Sequence, residues 1–323
     1  MNPAGTLAAR SPAIEAVPKA ATIPALDAVR VLGALLVVAF HTPGLGGRLV
    51  TSSGGAMFLV TTFGLSSLRQ GDETFGRFTA RRAGRFLLPF VVWSLVYLAA
   101  RFRHPVVDTD PWPTLWTPAA FCAGFSYHLW YLPFAFAGCV VAWPIVRATR
   151  ELPDLTAIAL TSGVGFLLFG AIRRIVAHAD MTLPWGQWTC SIPAILVGVG
   201  FARMHAIPDL RTRRIAAVVV SLLTLSVASW LFAQGFVVTT TAAAIAEPIV
   251  CAAFVLDLKR VPALAWLSRR TLGIYLLHPL VSDVWMKVLG MDVPPPLLFV
   301  LNYAGAALAT EAIRRVPRAR WVV

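Results

Sequence analysis

Two polar side chains, Arg30 and His41, interrupt the first long apolar run of the chain. Eleven residues of α-helix turn through about 1100° and rise about 16 Å, so both side chains are expected on one face of a helix. A histidine can take a proton from a hydroxyl nucleophile, and an arginine can hold a phosphate or a carboxylate. The spacing therefore predicts a general base and an anion-binding group on one helix. The alternative is that Arg30 only pairs with Asp27 and His41 only ends the helix.

Three further charged residues could support such chemistry. Arg82 and Arg85 are three residues apart, so they share a helix face and could bind an anion together. Glu247 lies within an apolar run and has no cation within one helical turn, so we expect its partner on another helix. Glu247 could orient His41, pair with Arg30, or stay protonated against backbone freed by Pro248.

Composition indicates the elements that must position these residues. Hydrophobic residues make up 58% of the 323 residues and charged residues only 13%, whereas a soluble domain is about one quarter charged. Because a membrane-spanning helix needs about 20 largely apolar residues, we predict an all-α, polytopic transmembrane bundle of about ten spans. The predicted spans are 26–43, 53–69, 84–101, 128–147, 155–173, 187–204, 213–232, 237–256, 264–287 and 296–313, the ninth crossing only from Thr271.

The charge pattern predicts how this bundle lies in the membrane. The net charge is +13, but the 28 lysines and arginines fall in short clusters between apolar runs, which favours a membrane surface over nucleic acid. With most cations on the cytoplasmic side, ten spans leave both termini in the cytoplasm. We expect residues 1–24 to form a disordered cytoplasmic tail and residues 317–323 a second tail. The four cysteines are scattered singly, and no metal site is expected.

Four stretches of sequence resemble the acyltransferase-3 family of integral membrane acyltransferases. The family begins with leucine, aspartate and arginine, then a histidine eleven residues after the arginine, as in residues 25–41. Residues 78–89 are similar to its arginine-rich segment before a proline, and residues 128–133 and 272–280 to two later stretches. The resemblance implies an acyltransferase-3-like transmembrane domain over residues 25–316. One stretch departs from the family, since Thr62 stands in place of its serine and the order of Phe63 and Gly64 is exchanged.

The resemblance implies a function for the candidate residues. An acyl group, most simply acetyl, would pass from cytosolic acyl-CoA to a hydroxyl of a cell-envelope glycan or glycolipid, with His41 as general base or acyl carrier. Arg30 and Glu247 would assist at the catalytic site, and no bound cofactor is expected besides the donor. Arg82, Arg85 and Thr62 would bind the donor, whereas Arg77 and Arg81 would be ordinary surface charges. The acceptor side would comprise His128, Trp130, Tyr131 and His278.

Two other functions fit a membrane bundle with polar groups inside it. A secondary transporter also uses intramembrane arginine, histidine and glutamate, but it would be expected to show an inverted repeat, and we find none in the sequence. The altered stretch around Thr62 leaves room for a catalytically silent relative. In each case we expect a multi-pass protein of a bacterial-type inner membrane, in contact with lipid and with no nucleic-acid partner.

Overall fold

The computed structural model describes residues 23–103, 117–177, 183–290 and 292–323. Most of the predicted amino-terminal tail lies outside these ranges. Within them the chain is helical and contains no β-strand. In chain order the helices are α1 Pro24–Phe40, α2 Arg48–Thr51, α3 Ser53–Leu68, α4 Phe75–Arg103, α5 Pro118–Ala123, α6 Tyr131–Ala148, α7 Asp154–Ala177, α8 Trp185–Ser191, α9 Pro193–Ala206, α10 Leu210–Ala233, α11 Val237–Val255, α12 Pro262–Ser268, α13 Thr271–Leu289 and α14 Pro295–Arg315. A 3₁₀ turn, Tyr127–Trp130, leads into α6.

The lengths of these helices support a multi-pass membrane protein. Among the described residues, eight helical stretches are long and apolar enough to cross a bilayer. They coincide with eight of the ten predicted spans. The other two predictions correspond to α1, which has 17 residues, and to α11, which has 19. The all-α polytopic fold is confirmed.

Large apolar side chains cover the outside of the bundle. Leu167 of α7 is 77% exposed, and α10 exposes Val218, Leu222 and Leu223 along its length. Patches of this kind are rare on soluble monomers but are normal where a helix faces lipid. The apolar surface that composition predicted is therefore divided between a packed interior and a lipid-facing exterior.

Helix α1 lies inside the bundle, packed against α3, α11, α12 and α13. Gly54 of α3 permits this packing, because a Cβ atom there would lie 2.7 Å from the carbonyl oxygen of Gly33 and 2.8 Å from the amide of Val37. The close approach holds α1 against α3 with little space for movement. Polar side chains on α1 are consequently surrounded by other helices and do not face lipid.

Ion pairs between loops agree with the prediction of which loops lie on the same side of the membrane. Ion pairs join segments that were expected on the same membrane face, namely Arg150 with Asp72 at 3.0 Å, Arg203 with Asp154 at 2.9 Å, and Arg270 with Glu311.

Helix α10 begins with a side-chain cap. Asp209 precedes α10, and its carboxylate accepts hydrogen bonds from the amide and hydroxyl of Thr212, which lowers the pKa of Asp209.

The ninth predicted span divides into two helices. Pro262–Ser268 forms the short α12, and α13 starts at Thr271, the residue at which the span was expected to begin.

Beyond α14 the chain folds back onto the bundle. Val322 and Val323 are buried, and the indole of Trp93 in α4 donates a hydrogen bond of 2.7 Å to the carbonyl of Val322. The last residues of the chain therefore pack against α4.

Candidate active site

Four arginines line one cavity. Arg30 lies on α1, Arg82 and Arg85 lie on α4, and Arg69 follows the last residue of α3. The cavity has a volume of about 680 Å³, including space open to solvent. We refer to it below as the arginine pocket. Guanidinium groups that converge on one open space form a strong attractor for a polyvalent anion.

The arginines of this pocket differ from their sequence neighbours in their partners. Among the described residues, no ion pair involves Arg30, Arg69, Arg82 or Arg85. By contrast, Arg77 and Arg81 both pair with Glu73 outside the pocket. The sequence predicted that Arg82 and Arg85 bind a ligand and that Arg77 and Arg81 are ordinary surface charges. The ion pairs of Arg77 and Arg81 with Glu73 are consistent with the second of these predictions.

Arg82 is the most enclosed arginine on the α4 side. Only 7% of it is exposed, and its guanidinium lies 5.0 Å from the centre of the Phe78 ring. One terminal nitrogen makes a long hydrogen bond of 3.4 Å to the carbonyl of Ser66, and Nε has no hydrogen-bond partner among the described residues. A buried guanidinium with such sparse contacts has donors left for a ligand.

Three aromatic rings form the inner wall of the arginine pocket. Phe58, Tyr131 and Tyr275 line it together with Thr62. The hydroxyls of Thr62 and Tyr131 are 2.8 Å apart and share a hydrogen bond. Thr62 therefore has a defined partner in the position where the sequence departs from the family pattern.

Three histidine rings meet on the other side of that wall. His41 follows α1, His128 lies in the 3₁₀ turn, and His278 lies in α13. The ring centre of His278 is 5.3 Å from that of His41 and 5.5 Å from that of His128. We call these residues the histidine cluster. The structure thus brings together three residues that the sequence placed in separate stretches.

The proton position on His278 follows from its backbone partner. Its Nδ1 lies 2.8 Å from the carbonyl oxygen of Tyr275, which can only accept, so Nδ1 carries the proton. That carbonyl is available because Pro279, four residues on, has no amide hydrogen to donate. The Nε2 atom of His278 is left as an acceptor and has no hydrogen-bond partner within the described part of the chain.

His128 is held by its own turn. Its Nδ1 shares a hydrogen bond of 2.8 Å with Ser126, and the hydroxyl of Tyr275 donates to its carbonyl. His128 is 2% exposed, and its Nε2 also has no partner among the residues described. Two buried ring nitrogens, one on His128 and one on His278, therefore remain available in the cluster, and an entering polar group could satisfy them.

The hydroxyl of Tyr127 is a hydrogen-bond partner of His41. The Tyr127 hydroxyl lies 3.1 Å from Nδ1 of His41, and the two ring centres are 4.9 Å apart. If Nδ1 donates to the hydroxyl oxygen, Nε2 of His41 is the basic nitrogen. Tyr127 thus occupies the position from which a triad carboxylate orients its histidine.

Glu247 does not join this group. It is buried between α10 and α11, and its carboxylate accepts a hydrogen bond of 3.1 Å from Thr224 of α10. The expected partner on another helix is present, but it is a threonine, and within the described residues Glu247 forms no ion pair with Arg30 or His41. The suggested link from Glu247 to His41 or Arg30 is therefore wrong, because α11 turns this carboxylate toward α10.

Tyr131 and Trp130, both predicted on the acceptor side, lie in different places. Tyr131 belongs to the wall of the arginine pocket, whereas it was expected on the acceptor side. Trp130 packs against Phe134, 6.0 Å between ring centres, beside the cluster. Within the described residues, no group of three histidine, cysteine or acidic side chains is arranged to hold a metal ion.

Sequence reasoning missed Arg69, Tyr127 and Tyr275. Each contacts the site through a partner far along the chain, which local patterns do not report. A signal was present for two of them, since Tyr127 precedes His128 and Tyr275 lies three residues before His278. Arg69 ends α3 and looks like an ordinary charge at a span end.

The chain matches a known protein family. The family model described as an acyltransferase domain, of the acyltransferase-3 type, matches residues 23–312. No curated protein and no solved structure matches the chain. The match covers most of the chain, and it includes the arginine pocket and the histidine cluster.

Proposed function

Since the chain belongs to the acyltransferase-3 family, we propose that it moves an acyl group from acyl-CoA to a hydroxyl of a cell-envelope glycan or glycolipid. The observation that carries this proposal is the arrangement at the two ends of α1. Arginines that form no ion pair within the described ranges gather near one end, and a histidine held by a tyrosine lies at the other. A phosphate-bearing donor and a hydroxyl acceptor would suit these two regions.

The arginine pocket is assigned to the donor. Coenzyme A carries several phosphates, and guanidinium groups bind phosphate oxygens through paired, charge-assisted hydrogen bonds. Arg30, Arg69, Arg82 and Arg85 supply those donors, and an open cavity admits a ligand from solvent. With the predicted orientation, that solvent is the cytosol, where acyl-CoA is made.

The histidine cluster is assigned to proton transfer. Nε2 of His41 takes the proton of the acceptor hydroxyl while the hydroxyl oxygen attacks the thioester carbonyl carbon. The bond from carbon to sulfur then breaks, coenzyme A leaves as a thiolate, and the proton on His41 returns to that sulfur. The products are the acylated acceptor and free coenzyme A, and no other reactant is needed. In this proposal the Tyr127 hydroxyl accepts a hydrogen bond from Nδ1 of His41, which leaves Nε2 as the base.

His128 and His278 are assigned to the acceptor. Their Nε2 atoms are buried and lack partners among the described residues, so a sugar hydroxyl placed between the rings could satisfy one or both. The Nε2 atom of His278 can only accept while Nδ1 holds the proton, so it would bind the hydrogen of a hydroxyl group. This preference fits an acceptor that presents several hydroxyls.

The test is acylation in cells that lack the gene and carry a plasmid copy of it. We expect His41→Ala and Arg30→Ala to abolish acylation of envelope glycans, measured by mass spectrometry of the isolated glycans. The matched controls are His205→Ala and Arg77→Ala. His205 bonds to the carbonyl of Phe254 away from the cluster, and Arg77 is exposed beside Glu73.

The controls should retain acylation, and all variants should be present at equal levels in membranes. Acylation that persists in both His41→Ala and Arg30→Ala contradicts the proposal. Purified protein that moves solutes into liposomes, but consumes no acyl-CoA, would favour a transporter instead.

A further inference from the structure

Three aromatic rings from three helices pack into a closed group between the arginine pocket and the histidine cluster. The ring centre of Tyr131 is 6.2 Å from that of Phe58 and 5.3 Å from that of Tyr275, and Phe58 and Tyr275 are 6.1 Å apart. Rings at these separations are in van der Waals contact. We call this group the aromatic wall.

The arginine pocket lies on one side of the aromatic wall, and the histidine cluster lies on the other. All three rings line the arginine pocket together with Arg30. On the other side, the ring of Tyr275 lies 5.5 Å from that of His128 and 6.2 Å from that of His278, measured between centres. A group bound by the arginines therefore meets the wall before it meets the histidines.

Within the described residues, one hydrogen bond between side chains holds Tyr131 to α3. Thr62 lies four residues after Phe58, one helical turn away, and its hydroxyl shares a hydrogen bond of 2.8 Å with that of Tyr131. The bond fixes the Tyr131 ring against Phe58, because both contacts run to the same face of α3. Loss of the bond would leave the ring packed but easier to displace.

We propose that the aromatic wall, held by the bond between Thr62 and Tyr131, sets the length of the acyl chain and restricts the donor to short-chain acyl-CoA. This inference rests on the proposed function, since it assumes that the thioester travels from the arginine pocket to His41. A short acyl group needs only a small displacement of the Tyr131 ring. A longer chain must keep the three rings apart over several methylene groups, which costs their packing contacts.

The experiment compares acyl-CoA donors of different length on the purified protein in nanodiscs. Hydrolysis of acetyl-CoA, butyryl-CoA and octanoyl-CoA is followed by release of the coenzyme A thiol, with His41→Ala as the blank. For the wild type we expect kcat/KM to fall from acetyl to octanoyl. We expect Thr62→Val to raise the octanoyl to acetyl ratio of kcat/KM roughly threefold to tenfold, the range for loss of one neutral hydrogen bond.

Two further variants separate the bond from the ring. Tyr131→Phe keeps the ring and removes the hydroxyl, so it should shift the ratio as Thr62→Val does, and the double variant should shift it no further. Phe58→Ala opens the wall itself and should shift the ratio by more than roughly tenfold. The matched control is Thr161→Val, a buried threonine of α7 that bonds only within its own helix, and its ratio should stay that of the wild type.

Inhibition by free coenzyme A, which carries no acyl chain, is measured in each variant as an independent readout of donor binding. An unchanged ratio in Thr62→Val and Tyr131→Phe, with acetyl-CoA hydrolysis retained, overturns the role of the wall. A wild type that hydrolyses octanoyl-CoA as fast as acetyl-CoA overturns it as well. If the wild type and His41→Ala hydrolyse every donor equally, the proposed function itself is wrong.

Discussion

The arginine pocket and the histidine cluster lie near opposite ends of the same helix, yet they differ in almost every physical respect. The pocket is open, and four cations converge in it without an acidic partner among the described residues. In the cluster, His128 and His278 are only 2% and 1% exposed, and His41 is partly exposed. An open cationic pocket suits capture of an anion, whereas a largely buried group of imidazoles suits proton transfer away from bulk water.

This difference predicts that changes in the two regions will affect different kinetic constants. Variants of the pocket should raise KM for the donor, and variants of the cluster should lower kcat. Each of the following measurements uses purified protein with acetyl-CoA, and each could show that the two regions are not separate.

The largest effect is expected at His41. His41→Gln removes the proposed base while keeping a polar side chain of similar reach, so kcat should fall roughly a hundredfold to ten-thousandfold, the usual contribution of a general base. Binding of acetyl-CoA, measured by equilibrium binding of a radiolabelled donor, should stay within about twofold of the wild type. A large loss of donor affinity would mean that the histidine cluster also binds the donor.

A smaller effect on binding is expected at Arg82. Arg82→Gln removes a buried, charge-assisted donor of the pocket, so KM for acetyl-CoA should rise roughly tenfold to a hundredfold with little change in kcat. The matched control is Arg81→Gln, since Arg81 is the adjacent residue of α4 and pairs with Glu73 outside the pocket. Equal effects of the two substitutions would show that general positive charge, not the pocket, attracts the donor.

A still smaller effect is expected at Tyr127, the partner of His41. Tyr127→Phe removes one hydroxyl and leaves the ring in place, so kcat should fall roughly threefold to tenfold while KM for acetyl-CoA stays the same. A rise in KM without a change in kcat would contradict the assignment of Tyr127 as a positioning residue for His41.

The smallest effect is expected at Glu247. Glu247→Gln retains an oxygen that can accept from Thr224, and the site lies between α10 and α11, so both kcat and KM should remain within about twofold of the wild type. A loss of activity comparable to that of His41→Gln would show that Glu247 takes part in the reaction.

Much of the fold could be predicted because lipid imposes a simple rule on each segment separately. Apolar length identified the spans, and the polar residues before Thr271 marked the start of α13. Charge clusters predicted which loops share a side, as in the pairing of Arg150 with Asp72. These features depend on residues close together in the chain.

Part of the site could be predicted from the sequence. Arg30 and His41 were identified by their spacing on one helix, since helix geometry fixes which side chains share a face. Arg82, Arg85, His128 and His278 were identified with the help of the family resemblance, and the roles of all six residues stay predictions. Rotation of one helix against another is set by packing, which spacing does not encode. For this reason Tyr131 was expected on the acceptor side, Glu247 was given the wrong partner, and the contacts of Tyr127 and Tyr275 were missed.

The pairing of His278 with Pro279 has a consequence that spectroscopy can detect without any turnover. Because Pro279 has no amide hydrogen, the carbonyl of Tyr275 lacks its usual helical partner, and Nδ1 of His278 donates to it instead. The missing helical hydrogen bond thereby fixes the proton on Nδ1. Nitrogen-15 shifts of the labelled ring should report a single Nδ1-protonated form. Replacing Pro279 with alanine would return the carbonyl to the helix and release the ring to exchange between two forms. Histidine and proline would then be inherited, or transplanted into a designed helix, as one functional unit.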